Sequence, residues 1–224
     1  MAKLFLLRHS KSQWNKDNRF AGWADNPLSE EGKIQAKEIA EKLDLKSLKI
    51  DAIYSNALIR CLETILRMYD TVPNKYPLFL HIDGGKMQEW GTFDAFRESD
   101  IPTYVSEKLN ERYYGDIQGL DKAETKAKYG EEQVQKWRRG YSDKPPGGES
   151  LKETCERVTP FFREHIEKDL QEGKNIMVVA SHNSLRAIIK DLEGISDEDV
   201  VKLELPFGAL LSYEFTDGKY TKIA

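Results

Sequence analysis

LFLLRHS, residues 4–10, is the segment from which the organisation of the chain can be worked out. Four consecutive apolar residues lead directly into Arg8 and His9. A short, continuous apolar run of this kind is typical of a strand that is buried on both faces of a sheet. A second run, IMVVA (residues 176–180), is followed closely by His182. The two runs predict buried strands that each deliver a histidine to their carboxyl end.

Strands and helices alternate along the rest of the chain. IDAIYS (residues 50–55) predicts another strand, and apolar residues at helical spacing precede and follow it. Ser29 and Ser196 are placed to cap helices, and ALLSYEF (residues 209–215) predicts a last strand. This order indicates an α/β fold with three layers, a mostly parallel central sheet and helices on both faces. In open sheets of this type, ligands bind beyond the carboxyl ends of the strands.

We expect residues 1–224 to form one domain, with an insertion around residues 71–106. That segment mixes proline, glycine and aromatic residues and predicts a short hairpin or a lid. Pro160 falls inside a later helical pattern and should bend that helix. No internal repeat and no coiled-coil pattern is visible.

Composition limits the classes of function. The chain has 224 residues, enough for a sizeable core, with 34 basic against 38 acidic residues. Without a basic excess we expect no nucleic-acid partner, and the apolar runs are too short for a membrane span. Cys61 and Cys155 fall at apolar positions of predicted helices, as expected for buried thiols in a reducing cytoplasm.

Arg8, His9 and His182 are the first candidates for chemistry. A neutral imidazole is a competent nucleophile, and a guanidinium holds a pair of phosphate oxygens in a planar fork. One such pair at a strand end is most often an ordinary surface feature, but two histidine-bearing strand ends make that interpretation less favourable. His81 and His165 are expected to be structural. The sequence contains no HExxH or CxxC spacing, so we expect no metal site.

Four long motifs resemble the cofactor-dependent phosphoglycerate mutases of the histidine phosphatase superfamily. They are LRHSKSQWNKDNRFAGWADNPLSEEG, SNALIRCLET, LNERYYGDIQGLDKAETKAKYGEEQVQKWRRGYSDKPP and ASHNSLRAIIKDLEGISDEDVVKLELPFG. They occur in the family's order and cover most of the chain outside residues 71–106. The resemblance implies a phosphoglycerate mutase-like fold and a phosphohistidine mechanism.

The resemblance also implies roles for individual residues. His9 would carry the phosphoryl group, Glu111 would exchange protons with substrate hydroxyls, and His182 would be the second active-site histidine. The substrate and its phosphoryl groups would be bound by Arg8, Asn15, Ala21, Gly22, Arg60, Glu111, Tyr114, Lys122, Arg138, Arg139 and Asn183. Arg8 and Arg60 would also belong to the catalytic group. Glu111 suits this proton exchange if burial raises its pKa toward neutrality.

The chain departs from the family at several positions. Ser10 and Lys11 stand where a glycine and a glutamate or glutamine are usual, and Lys11 is expected to add positive charge nearby. Ala21 replaces a hydroxyl residue, which removes one phosphate hydrogen bond. Aligned without a gap, Ser181 takes the position of the family's second histidine and His182 that of a glycine. We expect His182 to point into the site and Ser181 to pack or cap nearby, because serine cannot supply a cationic donor.

The leading functional hypothesis is a metal-independent mutase that interconverts 3-phosphoglycerate and 2-phosphoglycerate in glycolysis and gluconeogenesis. It would be primed by 2,3-bisphosphoglycerate, and by resemblance it would form a homodimer. One alternative is a histidine phosphatase that hydrolyses small phosphate esters through the same intermediate. A second alternative is a degenerate homologue that binds phosphate without turnover.

Overall fold

A single mixed sheet forms the centre of the computed structural model, which describes residues 1–223. The strands, in chain order, are β1 (Ala2–Arg8), β2 (Ala52–Ser55), β3 (Tyr76–His81), β4 (Asp100–Val105), β5 (Ile176–Ala180), β6 (Leu210–Thr216) and β7 (Lys219–Lys222). Across the sheet they lie in the order β3-β4-β2-β5-β1-β6-β7. The first five are parallel, and β6 and β7 are antiparallel to their neighbours. The predicted mostly parallel sheet is confirmed.

Strand register brings the functional ends together. β5 lies between β1 and β2, with Ala180 opposite Arg8 and Val179 opposite Ser55. Because these strands are parallel, the residues that follow them emerge at one edge of the sheet. His9 and His182 therefore lie on the same side of the molecule, although most of the chain separates them.

Helices cover both faces of the sheet. They are α1 (Gln13–Lys16), α2 (Glu30–Lys42), α3 (Ile59–Tyr69), α4 (Gly85–Gly91), α5 (Lys122–Tyr129), α6 (Glu131–Arg139), α7 (Leu151–Phe161), α8 (Glu167–Gln171), α9 (His182–Glu193) and α10 (Asp197–Val200). Short 3₁₀ turns cover Glu107–Leu109 and Gly115–Ile117. No helix within residues 1–223 is both long enough and apolar enough to span a membrane.

The side chains of β1 explain the three layers. Leu4 and Leu6 belong to a core cluster with α7 and α9, whereas Phe5 and Leu7 belong to a second cluster with α2 and α3. Successive strand residues point to opposite faces, so an uninterrupted apolar run fills both cores. Burial of each such side chain contributes roughly 1.5–3 kcal/mol.

Serine caps fix where several helices begin. Ser29 accepts a hydrogen bond from the Gly32 amide at the start of α2, and Ser196 caps α10, so both predicted caps are confirmed. Ser150 and Glu153 form a reciprocal capping box at the start of α7. Each such cap stabilises its helix by about 1 kcal/mol.

The segment over residues 71–106 differs from the prediction. β3 and β4 pair in parallel, with α4 between them, and they extend the central sheet at one edge. The hairpin interpretation is therefore wrong, because a hairpin requires antiparallel strands. β7 was not predicted either. That residues 1–224 form a single domain stays a prediction.

The helical pattern around Pro160 is interrupted. α7 ends at Phe161, one residue after Pro160, and a π-helical turn over Phe162–Ile166 leads into α8. Proline has no amide hydrogen, so the helical hydrogen bond from residue 160 to the carbonyl of residue 156 cannot form inside α7, whereas the π-helical turn lies beyond Pro160.

Candidate active site

A cavity of about 280 Å³ opens where β1 and β5 end. All thirteen residues to which the resemblance assigns a role line it: Arg8, His9, Asn15, Ala21, Gly22, Arg60, Glu111, Tyr114, Lys122, Arg138, Arg139, His182 and Asn183. The structure thus brings every candidate to one place. The roles themselves stay predictions.

Four further residues line the cavity: Arg19, Phe20, Glu204 and Phe207. Glu204 and Phe207 belong to a loop before β6, at the end of the last motif. A lone glutamate in a polar loop carries no periodicity or spacing that could have marked it. Sequence reasoning therefore had no signal for Glu204.

His9 is the first residue after β1, where its amide donates to the Ala180 carbonyl at 3.1 Å. The ring Nδ1 lies 2.7 Å from the Ser10 carbonyl oxygen. A carbonyl can only accept, so this contact assigns the proton to Nδ1 and leaves the Nε2 lone pair free. Burial, reinforced by Arg60 and Arg8, holds the pKa of His9 well below its usual range. His9 is therefore a neutral imidazole, the form needed for a nucleophile.

Arg8 and Arg60 place two buried guanidinium groups beside His9. Arg8 donates to the Leu205 carbonyl, and its guanidinium lies 3.9 Å from the centre of the Phe207 ring. Arg60 donates to the carbonyls of residues 22 and 24, at 2.7 and 3.0 Å. Within residues 1–223 the buried Nε of each arginine has no hydrogen-bond partner. Buried donors without partners are costly, and a bound anion would satisfy them.

The loop after β1 is shaped by local hydrogen bonds and by Gly22. Ser12 and Asn15 cap α1 reciprocally, which fixes Asn15 at the cavity. Gly22 has a φ of 51°, and a Cβ atom there would lie 2.5 Å from Gln118 Oε1. A side chain at this φ would be strained and would crowd Gln118 and Tyr114, so glycine suits this position best. The Arg60 contact with the Gly22 carbonyl then ties the loop to α3.

The two substitutions after His9 lie outside the cavity lining. Ser10 is buried, and its amide donates to Thr64 Oγ1 at 3.1 Å. The Lys11 ammonium pairs with Glu31 at 3.0 Å. The positive charge expected from Lys11 is therefore directed at α2 instead of the cavity.

Glu111 is buried and held by three donors. Its Oε1 accepts hydrogen bonds from Asn183 Nδ2 and from the Arg112 amide, each at 2.7 Å, and from the Asn183 amide at 3.3 Å. Burial raises its pKa, but His182, the Asn183 and Arg112 hydrogen bonds and Arg60 together outweigh burial, and the net pKa is lowered. The net rise in pKa on which proton exchange near neutral pH was expected to depend is therefore not found.

The orientation of the Asn183 amide is fixed by a neighbour on α9. Arg186 Nη1 donates to Asn183 Oδ1 at 3.0 Å, so the amide nitrogen must face Glu111. Arg186 is itself buried and held by the Val200 carbonyl. Through Asn183 and Arg186, Glu111 is thereby connected to Val200 in α10, which precedes the loop of Glu204.

The structure places His182 in the cavity lining as the first residue of α9, and Ser181 at the N-cap position. Ser181 is fully buried and accepts a hydrogen bond from Asn56 at 3.0 Å, but its side chain makes no capping hydrogen bond. β5 ends at Ala180, before the position at which the family has a glycine. The one-residue shift of the histidine therefore falls at the turn between β5 and α9.

Three basic residues of the lining, here called the distal cations, come from α5 and α6. They are Lys122, Arg138 and Arg139. Burial, with repulsion from Arg138 and Arg8, lowers the pKa of Lys122 to about 8. Arg139 forms an ion pair with Glu204. Tyr114 completes this part of the lining, with its hydroxyl 3.5 Å from Asn183 Nδ2. The arrangement is suited to a second anionic group on the ligand of His9.

A metal site would require acidic, histidine or cysteine side chains that lie close together. Within residues 1–223 there is no cluster of three or more His, Cys, Asp or Glu side chains suited to hold a metal ion. The positive charge of the cavity comes from its arginines and from Lys122.

Comparison with known proteins identifies the family. The sequence profile of the histidine phosphatase superfamily (branch 1) matches residues 4–90 and 90–223. The chain belongs to this superfamily. Within the superfamily, a 2,3-bisphosphoglycerate-dependent phosphoglycerate mutase of Methanococcus vannielii is 47% identical over 220 residues, which covers 97% of this chain and 92% of the relative.

Two further relatives carry the same description. The one from Chlamydia trachomatis serovar D is 45% identical over 225 residues, covering 100% of this chain and 98% of its own. The 2,3-bisphosphoglycerate-dependent phosphoglycerate mutase 1 of Gloeobacter violaceus is 44% identical over 219 residues, covering 96% and 94%. The resemblance to the cofactor-dependent phosphoglycerate mutases is confirmed.

Solved structures of this superfamily share the fold. Bacillus stearothermophilus YhfR has a TM-score of 0.77 at 20% identity, covering 99% of this chain and 95% of its own. The alpha-ribazole phosphatase from Shigella flexneri has a TM-score of 0.76 at 21% identity, with the same coverage. At this identity the likeness concerns the fold alone.

Proposed function

We propose that this chain is a phosphoglycerate mutase, an isomerase that interconverts 3-phosphoglycerate and 2-phosphoglycerate through a phosphohistidine on His9. The observation that carries the proposal is the combination, in one cavity, of a neutral histidine between two arginines with a separate group of distal cations. Such a cavity suits a small substrate with two anionic ends. The names of relatives at 44–47% identity support the same reaction.

The residues present fit 2,3-bisphosphoglycerate as the primer. This compound would supply the phosphoryl group that His9 first carries. The unpartnered Nε atoms of Arg8 and Arg60 offer donors for one phosphate, and the distal cations offer charge for the other. No metal is required, because these groups can neutralise the charge of a metaphosphate-like transition state.

Each residue then has a chemical role. Nε2 of His9 accepts the phosphoryl group, while Arg8 and Arg60 balance its charge. Glu111 accepts the proton of the substrate hydroxyl as that oxygen attacks the phosphoryl group, and returns it in the reverse direction. The other predicted binding residues orient the substrate.

A coupled assay with 3-phosphoglycerate, with and without 2,3-bisphosphoglycerate and in the presence of a chelator, tests the proposal. We expect chelator-resistant turnover that depends on the bisphosphate. Labelled 2,3-bisphosphoglycerate should also give an acid-labile, base-stable phosphoenzyme that His9→Ala cannot form. Absence of turnover, or label retained in that variant, would contradict the proposal.

A comparison of two substrates, assayed with the same enzyme preparation, distinguishes a mutase from a phosphatase. Arg139→Ala should lower kcat/KM for 3-phosphoglycerate by about two to three orders of magnitude, because a charge-assisted contact is lost. Hydrolysis of a generic phosphate monoester, which needs only the His9 end of the cavity, should change much less. Equal losses on both substrates would refute a site with two anion-binding ends.

We further propose that the chain acts in the cytoplasm, as a homodimer and without a nucleic-acid partner. The free cysteines Cys61 and Cys155 fit a reducing compartment. The homodimer is the assembly that the resemblance to the cofactor-dependent phosphoglycerate mutases implies. Light scattering of the purified protein tests the dimer, and a monomer at every concentration would contradict it.

A further inference from the structure

Glu204 connects two functional groups of the cavity. Its Oε1 pairs with Arg139, one of the distal cations, and its Oε2 lies 3.5 Å from His182 Nε2. No role was expected for this residue from the sequence. Its position between an anion-binding arginine and the second histidine gives it two competing contacts.

The Nε2 atom of His182 has a partner for each of its protonation states. The Leu205 amide lies 3.4 Å from it and can only donate, which suits the neutral ring. The Glu204 carboxylate can only accept, which suits the protonated ring. His182 can therefore change its charge without rotating. The burial of the Glu204 carboxylate is incomplete, and the His182 contact lowers its pKa to about 2, so it is ionised at neutral pH.

The ion pair between Glu204 and Arg139 must break when an anionic group of the substrate binds to Arg139. The Glu204 side chain is 55% exposed and that of Arg139 is 30% exposed, so water can reach both. Exposed pairs of this kind are weak. Glu204 thus pairs with the guanidinium group to which a second anionic group of the substrate would bind.

Several other charged or titratable groups surround His182. They are Arg8 at the end of β1, His9 after it, Glu111 in the loop before α5, and Arg186 on α9 itself. Burial and the two arginines lower the pKa of His182, whereas Glu204 and Glu111 oppose that change. Glu111 is held by Asn183, so Glu204 is the carboxylate of this group that has solvent around it and room to move.

We propose that Glu204 is a positioning residue that holds Arg139, releases it when the second anionic group of the substrate binds, and favours the cationic form of His182. The identity of the substrate rests on the proposed function, but the contacts of Glu204 do not. Substrate binding and the charge of the second histidine are thereby coupled through one side chain.

The test compares Glu204→Gln with a matched control, Glu198→Gln, which makes the same change at an exposed position of α10. In Glu204→Gln the KM for 3-phosphoglycerate should fall about two- to fivefold, because the competing carboxylate is gone. kcat should fall at the same time, and its alkaline limb should move to lower pH, because the cationic ring is less favoured. Glu198→Gln should behave like the wild type.

A second measurement does not depend on turnover. Titration of the His182 ring by NMR in the ligand-free protein, assigned with His182→Gln, should give a midpoint at lower pH in Glu204→Gln than in the wild type. An unchanged midpoint, or a KM that rises, would overturn the proposal. If the wild type lacks mutase turnover but the midpoint still moves, the proposed function fails and the coupling of Glu204 to His182 stands.

Discussion

Lys122 should make substrate binding sensitive to pH within the physiological range. Burial and the neighbouring Arg138 and Arg8 lower its pKa to about 8 in the ligand-free cavity. Below that pH the ammonium is already present, whereas above it an anionic substrate must recruit a proton in order to bind. We therefore expect the KM for 3-phosphoglycerate to be constant on the acid side of the Lys122 pKa. On the alkaline side it should rise, approaching about tenfold per pH unit.

The size of the effect follows from the surroundings of Lys122. Its nearest carboxylate, Asp121, is occupied by the amides of Ala123 and Glu124 at the start of α5. The ammonium lies 5.9 Å from the centre of the Phe20 ring. A charge-assisted hydrogen bond to the substrate contributes about 1.5–3 kcal/mol, so Lys122→Met should lower kcat/KM about ten- to 150-fold.

Initial rates measured across the Lys122 pKa test this expectation. Lys122→Met should bind 3-phosphoglycerate more weakly, and its KM should no longer rise at alkaline pH. Lys122→Arg should keep most of its affinity and lose the alkaline rise, because a guanidinium stays charged throughout this range. If Lys122→Arg retains the same alkaline limb, or if the wild-type KM is flat, another group controls the pH dependence and the reasoning is refuted.

Two further predictions concern the second histidine and the packing behind the first. His182→Ala should lower turnover by about two or more orders of magnitude and Ser181→Ala only slightly, as measured in the coupled assay; the reverse pattern would reassign the second histidine. Gly32→Ala should destabilise the fold by roughly 1–3 kcal/mol, because a Cβ atom there would lie 2.0 Å from the Lys11 carbonyl oxygen. Gly91→Ala is the control, because a Cβ atom at Gly91 would meet nothing within 4 Å. Calorimetry should therefore show a lower Tm for Gly32→Ala and an almost unchanged one for Gly91→Ala.

The central part of the fold could be predicted because its signals are local and strong. β1 and β5 are buried on both faces, and a strand in that position requires an unbroken run of apolar residues. The caps at Ser29 and Ser196 use side chains whose preference for helix starts is intrinsic. In these places local propensity and the final structure agree.

The segment over residues 71–106 carries no such signal. β3 is an edge strand with a single buried residue, Leu80, and with Pro77 inside it. Proline and partial exposure are tolerated at the edge of a sheet, but they remove the pattern that identifies a strand. Parallel pairing of β3 with β4 depends on the crossover through α4, and no short-range feature of the sequence reports that crossover.

The candidate site could be assembled from the sequence only through the motifs of the family. Spacing alone would have left Glu111 and Lys122 among ordinary surface residues, and it gave no reason to single out Glu204. Their importance arises from contacts between elements far apart in the chain, such as Glu111 with Asn183 and Glu204 with Arg139. Such contacts exist only after folding.

Glu111 illustrates why burial by itself does not determine protonation. Burial raises the pKa of its carboxyl, but the site supplies opposing groups, among them the Asn183 amide and the neighbouring His182. The carboxylate is therefore ionised, and in the proposed reaction its first action is to accept a proton. Once a substrate adds its own negative charges to the cavity, the pKa of Glu111 has to rise, and the proton taken from one hydroxyl becomes available to the next. In the proposed mechanism the acid form of Glu111 is thus produced by substrate binding, whereas the base form is already present in the fold.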